Sequence, residues 1–367
     1  MMQVERISEY NNFLKMESYW DDLLHKSAYN LVFLTFDLIK TEWEHLGWEI
    51  DKEVILEPFI LLVRENDEIV AIFPFVKGKM SFYGFPITYI RPLTNIYTDR
   101  FDVIFIKKPL EVFKRVIDYF KTEETGWNLL TFNNIEESSY LIKYASSTSD
   151  FKIGIMNGHR SPYVDTNIAW RDYIESRSKN CHKQLRNKLN RIERGGDKII
   201  AREYHGPEEV KCALDIAFDI DMKSWKAKNG TGISSTSKTK NYWHTLTRHL
   251  SQKNRVGIWL LWLNDKAIAF DYHVIYDKKI YSLKCSYDEA YQRYSPGFLL
   301  TYEILKSIWS TGIREVDLLG STDLSKEVWT AKKRQHHNIY IFNNNFYPNL
   351  IHYIVFRIRV LLLKWIR

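Results

Sequence analysis

The sequence predicts an α+β protein of two domains, and three observations lead there. The chain, at 367 residues, exceeds one ordinary domain. Each half alternates apolar patterns of helical and of strand period. Charge divides unevenly: residues 1–160 hold 18 Lys and Arg against 24 Asp and Glu, net −6, and the remaining 207 hold 34 against 21, net +13. An apolar share of 45% and a charged share of 26% are those of a soluble globular protein. The 12 Trp, 23 Tyr and 20 Phe exceed what two cores need and suggest clefts lined by rings.

In chain order, helical spacing begins at Trp20–Leu24 and continues through Leu34–Trp43. Phe59–Val63 and Ile69–Phe75, joined by the polar Glu65–Glu68, read as a hairpin. A helix over Leu110–Lys121, a strand over Asn128–Asn133 and a helix over Ser138–Ser146 complete a first domain, 1–162. The polar stretch Asn157–Pro162 reads as the boundary. The second domain, 163–345, carries two helices from Trp170, a strand Lys198–Tyr204, a helix after Pro207 and another over Lys240–Gln252. Strands Val256–Leu263, Ala267–Ile275 and Ile280–Ser286 follow, the first two linked by Asn264–Lys266. A helix Phe298–Ser310 stops at Gly312, and a short strand Glu315–Leu319 comes after it. No repeat of 20 to 50 residues is visible.

Cys181, Cys212 and Cys285 show no CxxC spacing and make no disulfide framework, so the expectation is a reducing, cytoplasmic setting with no structural zinc and no metal. The N-terminal MMQVERISEYNNF has no basic segment followed by an apolar run and does not read as a secretion signal. The basic half is where an anionic partner would be met. Arg177–Arg194 concentrates it, with one acid among its bases and an apolar stripe at Leu185, Leu189 and Ile192.

Ser295-Pro296-Gly297 stands where a strand, a turn and a helix succeed one another. The first N–H groups of such a helix are unpaired, and with the dipole they make a place for phosphate. Gly297 lets a ligand approach without a Cβ in the way. A plain helix start is the other reading of the tripeptide. Gln292 to Gly297 approximates the Gln/Arg-x-x-Gly-x-Gly/Ala phosphate loop of the GNAT acyltransferases, with Ser295 at a position usually glycine. The chain resembles GNAT-fold acyltransferases of the CelD/BcsL type, relatives of the FemAB-like double-GNAT proteins. The residues that carry this are Leu31–Thr35 with Trp43, Ile69–Pro74, Trp170–Arg194, Lys266–Ala269, Tyr287–Gly297, and Asp317–Gly320 followed by Lys326.

The resemblance implies two tandem GNAT-like domains, mixed central sheets flanked by helices, with one donor site in the second. No matching phosphate loop stands in the first half, where Tyr83–Pro86 leads into extended sequence. The implied co-substrate is acetyl-CoA or another acyl-CoA, held by Ser286, Gln292, Arg293, Tyr294, Ser295, Pro296 and Gly297, with Lys284 a charge nearby. A backbone N–H of the strand ending at Cys285-Ser286 would bond the thioester carbonyl, and parting from the strand Val316–Leu319 would open the slot. Acyl transfer to an amine also needs a base. Asp271 and His273 share a strand face by the period of two, either as that base or as a surface pair. Asp317 is a further catalytic candidate, and Lys326 either binds phosphate or carboxylate or is an exposed lysine at a helix start. Alternation groups Cys285 with Tyr281 and Leu283 on the packed face, which argues against a cysteine nucleophile.

The tail, 346–367, mixes Arg357, Arg359, Lys364 and Arg367 with apolar residues and no acid. It is too short and interrupted to span a bilayer. It reads either as an amphipathic helix on the anionic inner face of the cell membrane or as a helix docked on a domain. The function expected is acyl-CoA-dependent N-acyl transfer in a bacterium, to an amino sugar or another cell-envelope or exopolysaccharide precursor. A FemAB-like transfer from aminoacyl-tRNA and a catalytically inactive membrane-associated scaffold are the alternatives.

Overall fold

The structure, a computed structural model, describes residues 2–47 and 56–359. The chain forms two compact units, Met1–His159 with Gln335–Arg367, and Arg160–Arg334. The first begins with β1 (Met2–Ile7), α1 (Tyr10–Leu14), α2 (Glu17–Lys26) and α3 (Phe36–Glu44). It continues through β2 (Glu57–Glu65), β3 (Glu68–Phe82), β4 (Phe85–Pro92), β5 (Ile104–Phe105), α4 (Pro109–Thr122), β6 (Leu129–Glu136) and α5 (Tyr140–Ser147). Strand β7 (Lys152–Asp165) carries the chain into the second unit. There follow α6 (Trp170–Glu175), α7 (Lys179–Arg194), β8 (Ile199–Tyr204), α8 (Pro207–Met222), α9 (Trp225–Lys228) and α10 (Ser237–Ser251). Next come β9 (Val256–Leu263), β10 (Lys266–Tyr276), β11 (Lys279–Tyr287), α11 (Pro296–Ile308), β12 (Glu315–Asp317) and α12 (Leu324–Glu327). β13 (Lys333–Phe342) returns the chain to the first unit, which ends in α13 (Phe346–Tyr353) and a π-helical turn over Ile354–Ile358.

The two sheets repeat one plan. The first runs β1-β2-β3-β4-β6-β13 with β5 on β3, antiparallel except for the pair β4–β6. The second runs β7-β12-β11-β10-β9-β8, antiparallel except for β11–β12. A parallel pair needs a crossover, and each has a helix for it: α4 in the first unit and α11 in the second. The mixed α+β class expected from the sequence is what the structure shows. Hairpin turns follow turn chemistry, with Asn66 and Asp67 joining β2 to β3 and Asp277 and Lys278 joining β10 to β11, all four at positive φ.

In the second unit α8 and α10 bury Leu214, Phe218, Trp243 and Leu246 on one sheet face. Tyr272 of β10 meets them there, its hydroxyl 3.1 Å from that of Thr247 and its ring edge-on to Trp243 at 4.8 Å. The opposite face packs Trp259, Leu261 and Ala269 against Ile192 of α7 and Leu299, Leu300 and Leu305 of α11. Each large apolar side chain so buried contributes roughly 1.5–3 kcal/mol. Many of the surplus rings fill the first unit's core rather than clefts: Phe13 stacks on Phe36 at 4.7 Å and on Trp43 at 4.9 Å, with Trp20 edge-on.

Two organisational expectations change. The stretch 157–162, read as a boundary loop, is the interior of β7. Its Gly158 marks close backbone approach rather than a turn, because a Cβ there would lie 3.1 Å from the backbone of His336. Residues 335–345, expected in the second domain, complete the first unit's sheet, where β13 pairs antiparallel with β6 from His336↔Glu136 to Phe342↔Leu129. The tail is docked: Ile351 and Val355 join Phe82, Ile87, Tyr89, Leu129 and Phe342 in a core cluster. Lys364 and Arg367 lie outside the described residues. Among the described residues no helix is long and apolar enough to cross a membrane.

Candidate functional site

A gap opens beside β11. That strand pairs in parallel with β12 at three positions, Lys279↔Glu315, Ile280↔Val316 and Tyr281↔Asp317. Beyond them β11 runs on to Tyr287 with β10 along its other edge, whereas β12 stops. Asp317 helps enforce the departure. Its buried carboxylate accepts the Leu319 N–H at 3.0 Å and pairs with Arg334 at 3.1 Å. Leu319 and Gly320 then take left-handed φ of 48° and 57°, and Leu318 donates to the Pro162 carbonyl. Asp317 therefore shapes the turn that widens the gap. Lys326 holds the same loop, its ammonium 2.7 Å from the Leu319 carbonyl and 3.3 Å from that of Ser321.

Past the gap β11 meets a tight turn that opens a helix. Asp288 caps the short 3-10 turn Glu289–Tyr294, and the Ser295 N–H donates to the Gln292 carbonyl at 2.9 Å. Ser295 sits at φ 54°, which explains why a glycine is usual there: a side chain in this region costs roughly 1–2 kcal/mol. α11 opens with Pro296, which has no N–H to lose. A Cβ at Gly297 would meet only the Tyr287 ring, at 3.9 Å, so the space in front of the helix is open. Gln292 and Arg293 are exposed and Tyr294 is buried, its hydroxyl donating to Asp197 at 2.8 Å.

The charge around this turn was only partly foreseen. Lys188 of α7 lies 5.0 Å from the Phe298 ring, and burial together with the Arg191 guanidinium lowers its pKa. Arg191 donates to the Arg293 carbonyl. Among the described residues no carboxylate pairs with Lys179, Lys183, Arg186, Lys188 or Arg194. The sequence signal was there, since Lys188 and Arg191 stand three residues apart on a basic helix, but nothing in the pattern told which turn they face. An N-terminus of thirteen-residue α11 with uncompensated cations beside it suits a pyrophosphate.

On the α11 face of the sheet a file of charged groups crosses three strands. His205 lies 3.0 Å from Glu203 of β8, and Glu203 lies 2.9 Å from the Nε2 of His273. The His273 Nδ1 lies 3.7 Å from Asp271, and the Ser282 hydroxyl donates to Asp271 at 2.5 Å. His273 is fully buried, and although burial opposes its charge, Asp271 and Glu203 raise its pKa to about 9. That direction favours the imidazolium and weighs against His273 as the neutral base, although neither ring nitrogen makes a hydrogen bond of normal geometry. Gly257 makes the crossing of β9 possible, because a Cβ there would lie 2.6 Å from His273 Nε2. Asp271 and His273 do share a face, as alternation predicted. The irregularity lies in β11, where Leu283 is an extra residue between Ser282 and Lys284. That extra residue also corrects Cys285, which is exposed rather than packed.

The other face of β11 carries Lys284 and Ser286. Lys284 donates to the Thr231 carbonyl at 2.7 Å; burial, then the Lys226 charge, lowers its pKa to about 8. The Ser286 hydroxyl is buried with no hydrogen-bond partner. Sequence reasoning missed Asp221, fully buried at the end of α8, whose Oδ2 accepts the N–H and hydroxyl of Ser234 while Oδ1 has no hydrogen-bond partner. No local pattern distinguishes it. Gly232 makes room for it, since a Cβ there would lie 2.3 Å from Oδ2.

The first unit repeats the plan without the donor turn. Its parallel pair β4–β6 also parts early, after Tyr89↔Leu129 and Ile90↔Leu130, and a cavity of about 210 Å³ lies there against Thr94, Asn95, Arg100 and Asn133. Its crossover helix α4 likewise follows a left-handed residue, Lys108, and begins with proline. Leu110 stands where α11 has Gly297, and Lys107 and Lys108 are spent on Glu65 and Glu68 at 2.7–3.3 Å. Asp99, His159 and His336 also converge in this unit, with ligand atoms within 4.8 Å of one another, a donor set able to hold a metal ion, and Asp99 is also forked by Arg100 at 2.9 and 3.1 Å and lies 3.2 Å from His159.

Residues 179–333 match the family described as acetyltransferase (GNAT) domain. That match lies within the second unit, Arg160–Arg334, which is similar to a GNAT domain. Among solved structures, FemX matches with a TM-score of 0.59 and 10% identity, covering 95% of this chain and 100% of that one. A conserved protein of unknown function from Bacteroides thetaiotaomicron matches at 0.54 and 11%, over 93% and 100%. A tandem GNAT protein from the clavulanic acid biosynthesis pathway matches at 0.46 and 9%, over 93% and 98%. No curated protein matches the chain in sequence. The family match supports an acyltransferase, and the likeness to FemX and to the Bacteroides thetaiotaomicron protein is one of fold.

Proposed function

We propose that the protein is an acyl-CoA-dependent N-acyltransferase acting on an amino sugar or another cell-envelope or exopolysaccharide precursor in the cytoplasm of a bacterium. The observation that carries the donor class is the gap between β11 and β12 leading straight into the α11 start, with Lys188 and Arg191 beside it. The fit is supported by the open space at Gly297 and the unpartnered Ser286 hydroxyl. Ser286, Ser295 and Gly297 would line the donor, with Gln292 and Arg293 at its solvent side and Lys284 near the reacting end. The glycan class and kinship with the CelD/BcsL type rest on the resemblance of Lys266–Ala269, Tyr287–Gly297 and Asp317–Gly320.

The thioester supplies an activated carbonyl carbon; what the chain must do is bind, orient and move a proton. A β11 backbone N–H at the open edge would bond the carbonyl oxygen. The acceptor amine must be neutral to attack; as its nitrogen bonds the carbonyl carbon the C–S bond breaks, and the departing CoA thiolate takes up the proton that the new amide nitrogen sheds. Asp271, at the closed end of the gap through Ser282, would first take the proton of the acceptor's ammonium form, with His273 and Glu203 holding that carboxylate in place as positioning residues. Thiol release from acetyl-CoA and longer acyl-CoAs, followed over a panel of amino sugars and their nucleotide-linked forms, tests this. Turnover should fall about a hundredfold or more in Asp271→Asn, and a full-rate Asp271→Asn enzyme would remove Asp271 from the proton path.

One observation favours a second reading, transfer from aminoacyl-tRNA: Lys179, Lys183, Arg186, Lys188 and Arg194 on α7, without a carboxylate partner among the described residues, are what a nucleic-acid backbone would require. Tight, salt-sensitive tRNA binding with no affinity for CoA would decide for it. The inactive-scaffold alternative requires that neither donor bind.

A further inference from the structure

We propose that the outer face of the C-terminal helix, together with the tip of the β3–β4 hairpin, docks on an anionic lipid surface. This goes beyond the acyltransferase reading and does not depend on it. Exposed large apolar side chains gather in two segments here: Met80 and Tyr83 on the hairpin, Phe346, Leu350 and Tyr353 on α13, and Ile358 in the π-helical turn. The segments are joined, since the Tyr347 hydroxyl donates to the Pro86 carbonyl at 3.1 Å and the Arg359 guanidinium lies 4.7 Å from the Tyr83 ring.

The helix is apolar on both sides, which a docked cover does not require. Ile351 and Val355 face the core, whereas Phe346, Leu350 and Tyr353 recur at helical spacing on the outside, Phe346 being 84% exposed. Because the inner face is packed, the outer one is presented already ordered. Charge identifies the occupant. Lys79, Arg357 and Arg359 are exposed and have no carboxylate partner among the described residues, and neither 77–92 nor 346–367 contains an acid. In a two-fold contact between copies this patch would meet itself and bring cations together without an acid to offset them. An anionic bilayer offsets them and accepts the rings at headgroup depth.

The test is flotation of the full chain with vesicles of phosphatidylcholine alone and of phosphatidylcholine mixed with phosphatidylglycerol. Binding is expected to the mixed vesicles only and to weaken with salt. Phe346→Ser with Tyr353→Ser, and separately Arg357→Glu with Arg359→Glu, should each lower the partition coefficient by about tenfold or more, with unchanged melting temperature. Should the aromatic pair perturb folding, the arginine pair carries the test alone. The proposal is overturned if the wild-type chain does not bind the anionic vesicles, if it binds them regardless of the arginine pair, or if the patch proves to hold a concentration-dependent dimer with no affinity for lipid.

Discussion

His273 crosses β9 beside Gly257 to lie 2.9 Å from Glu203, and that pairing decides its protonation. Its folded pKa of about 9 stands above the ordinary 6.5, so the folded state holds a proton that the unfolded chain releases. The resulting stabilisation is complete below about pH 6.5 and is lost as pH rises through about 9. Two other buried groups bound the clean window. Asp102, pushed up to about 7 by burial, adds a loss of stability in the same direction below pH 7. Lys284, held down at about 8, opposes the trend above pH 8, where deprotonation relieves its burial. Urea unfolding between pH 7 and 8 should therefore show stability falling with pH, and Glu203→Gln should flatten that slope; an equal slope in the variant would mean that His273 is not held charged by Glu203.

At the scale of elements, the tail shows how one helix can satisfy two readings. Sequence composition left an interfacial helix and a docked cover open, and the structure docks the side bearing Ile351 and Val355 while leaving the other side bare. Ile351→Ala should cost about 2–5 kcal/mol in equilibrium unfolding, while a cost below about 0.5 kcal/mol would mean the helix is not packed. Hairpins and helices with strong periodicity were legible: Asn66-Asp67 punctuates two apolar runs, and α4, α8 and α11 each begin at a proline. Strands β7 and β13 were not, because glycine in β7 signals a turn locally and a close approach only once His336 lies opposite. Local pattern placed Asp271 and His273 on one face, but neither Glu203, 70 residues earlier, nor the extra Leu283 that turns Cys285 outward could be read from it.

Across the whole molecule, two units repeat one strand plan, and among the described residues their crossover helices start differently. The contrast is chemical. In the first unit Leu110 fills the position of Gly297 and two glutamates already neutralise the lysines; in the second the space is open, and among the described residues Lys188 of α7 pairs with no carboxylate. The loop itself was legible as Gln292–Gly297, whereas Lys188, Arg191 and Asp221 became visible only through the fold. The central claim is that a donor's pyrophosphate lies at the start of α11. Calorimetric titration of CoA into the wild-type chain and Gly297→Val measures it. The account predicts binding to the wild type and a loss of about tenfold or more in the variant, as a branched side chain enters the space the ligand needs, with the variant still folded by circular dichroism. Equal affinity in the two proteins, or no binding to either, would contradict it.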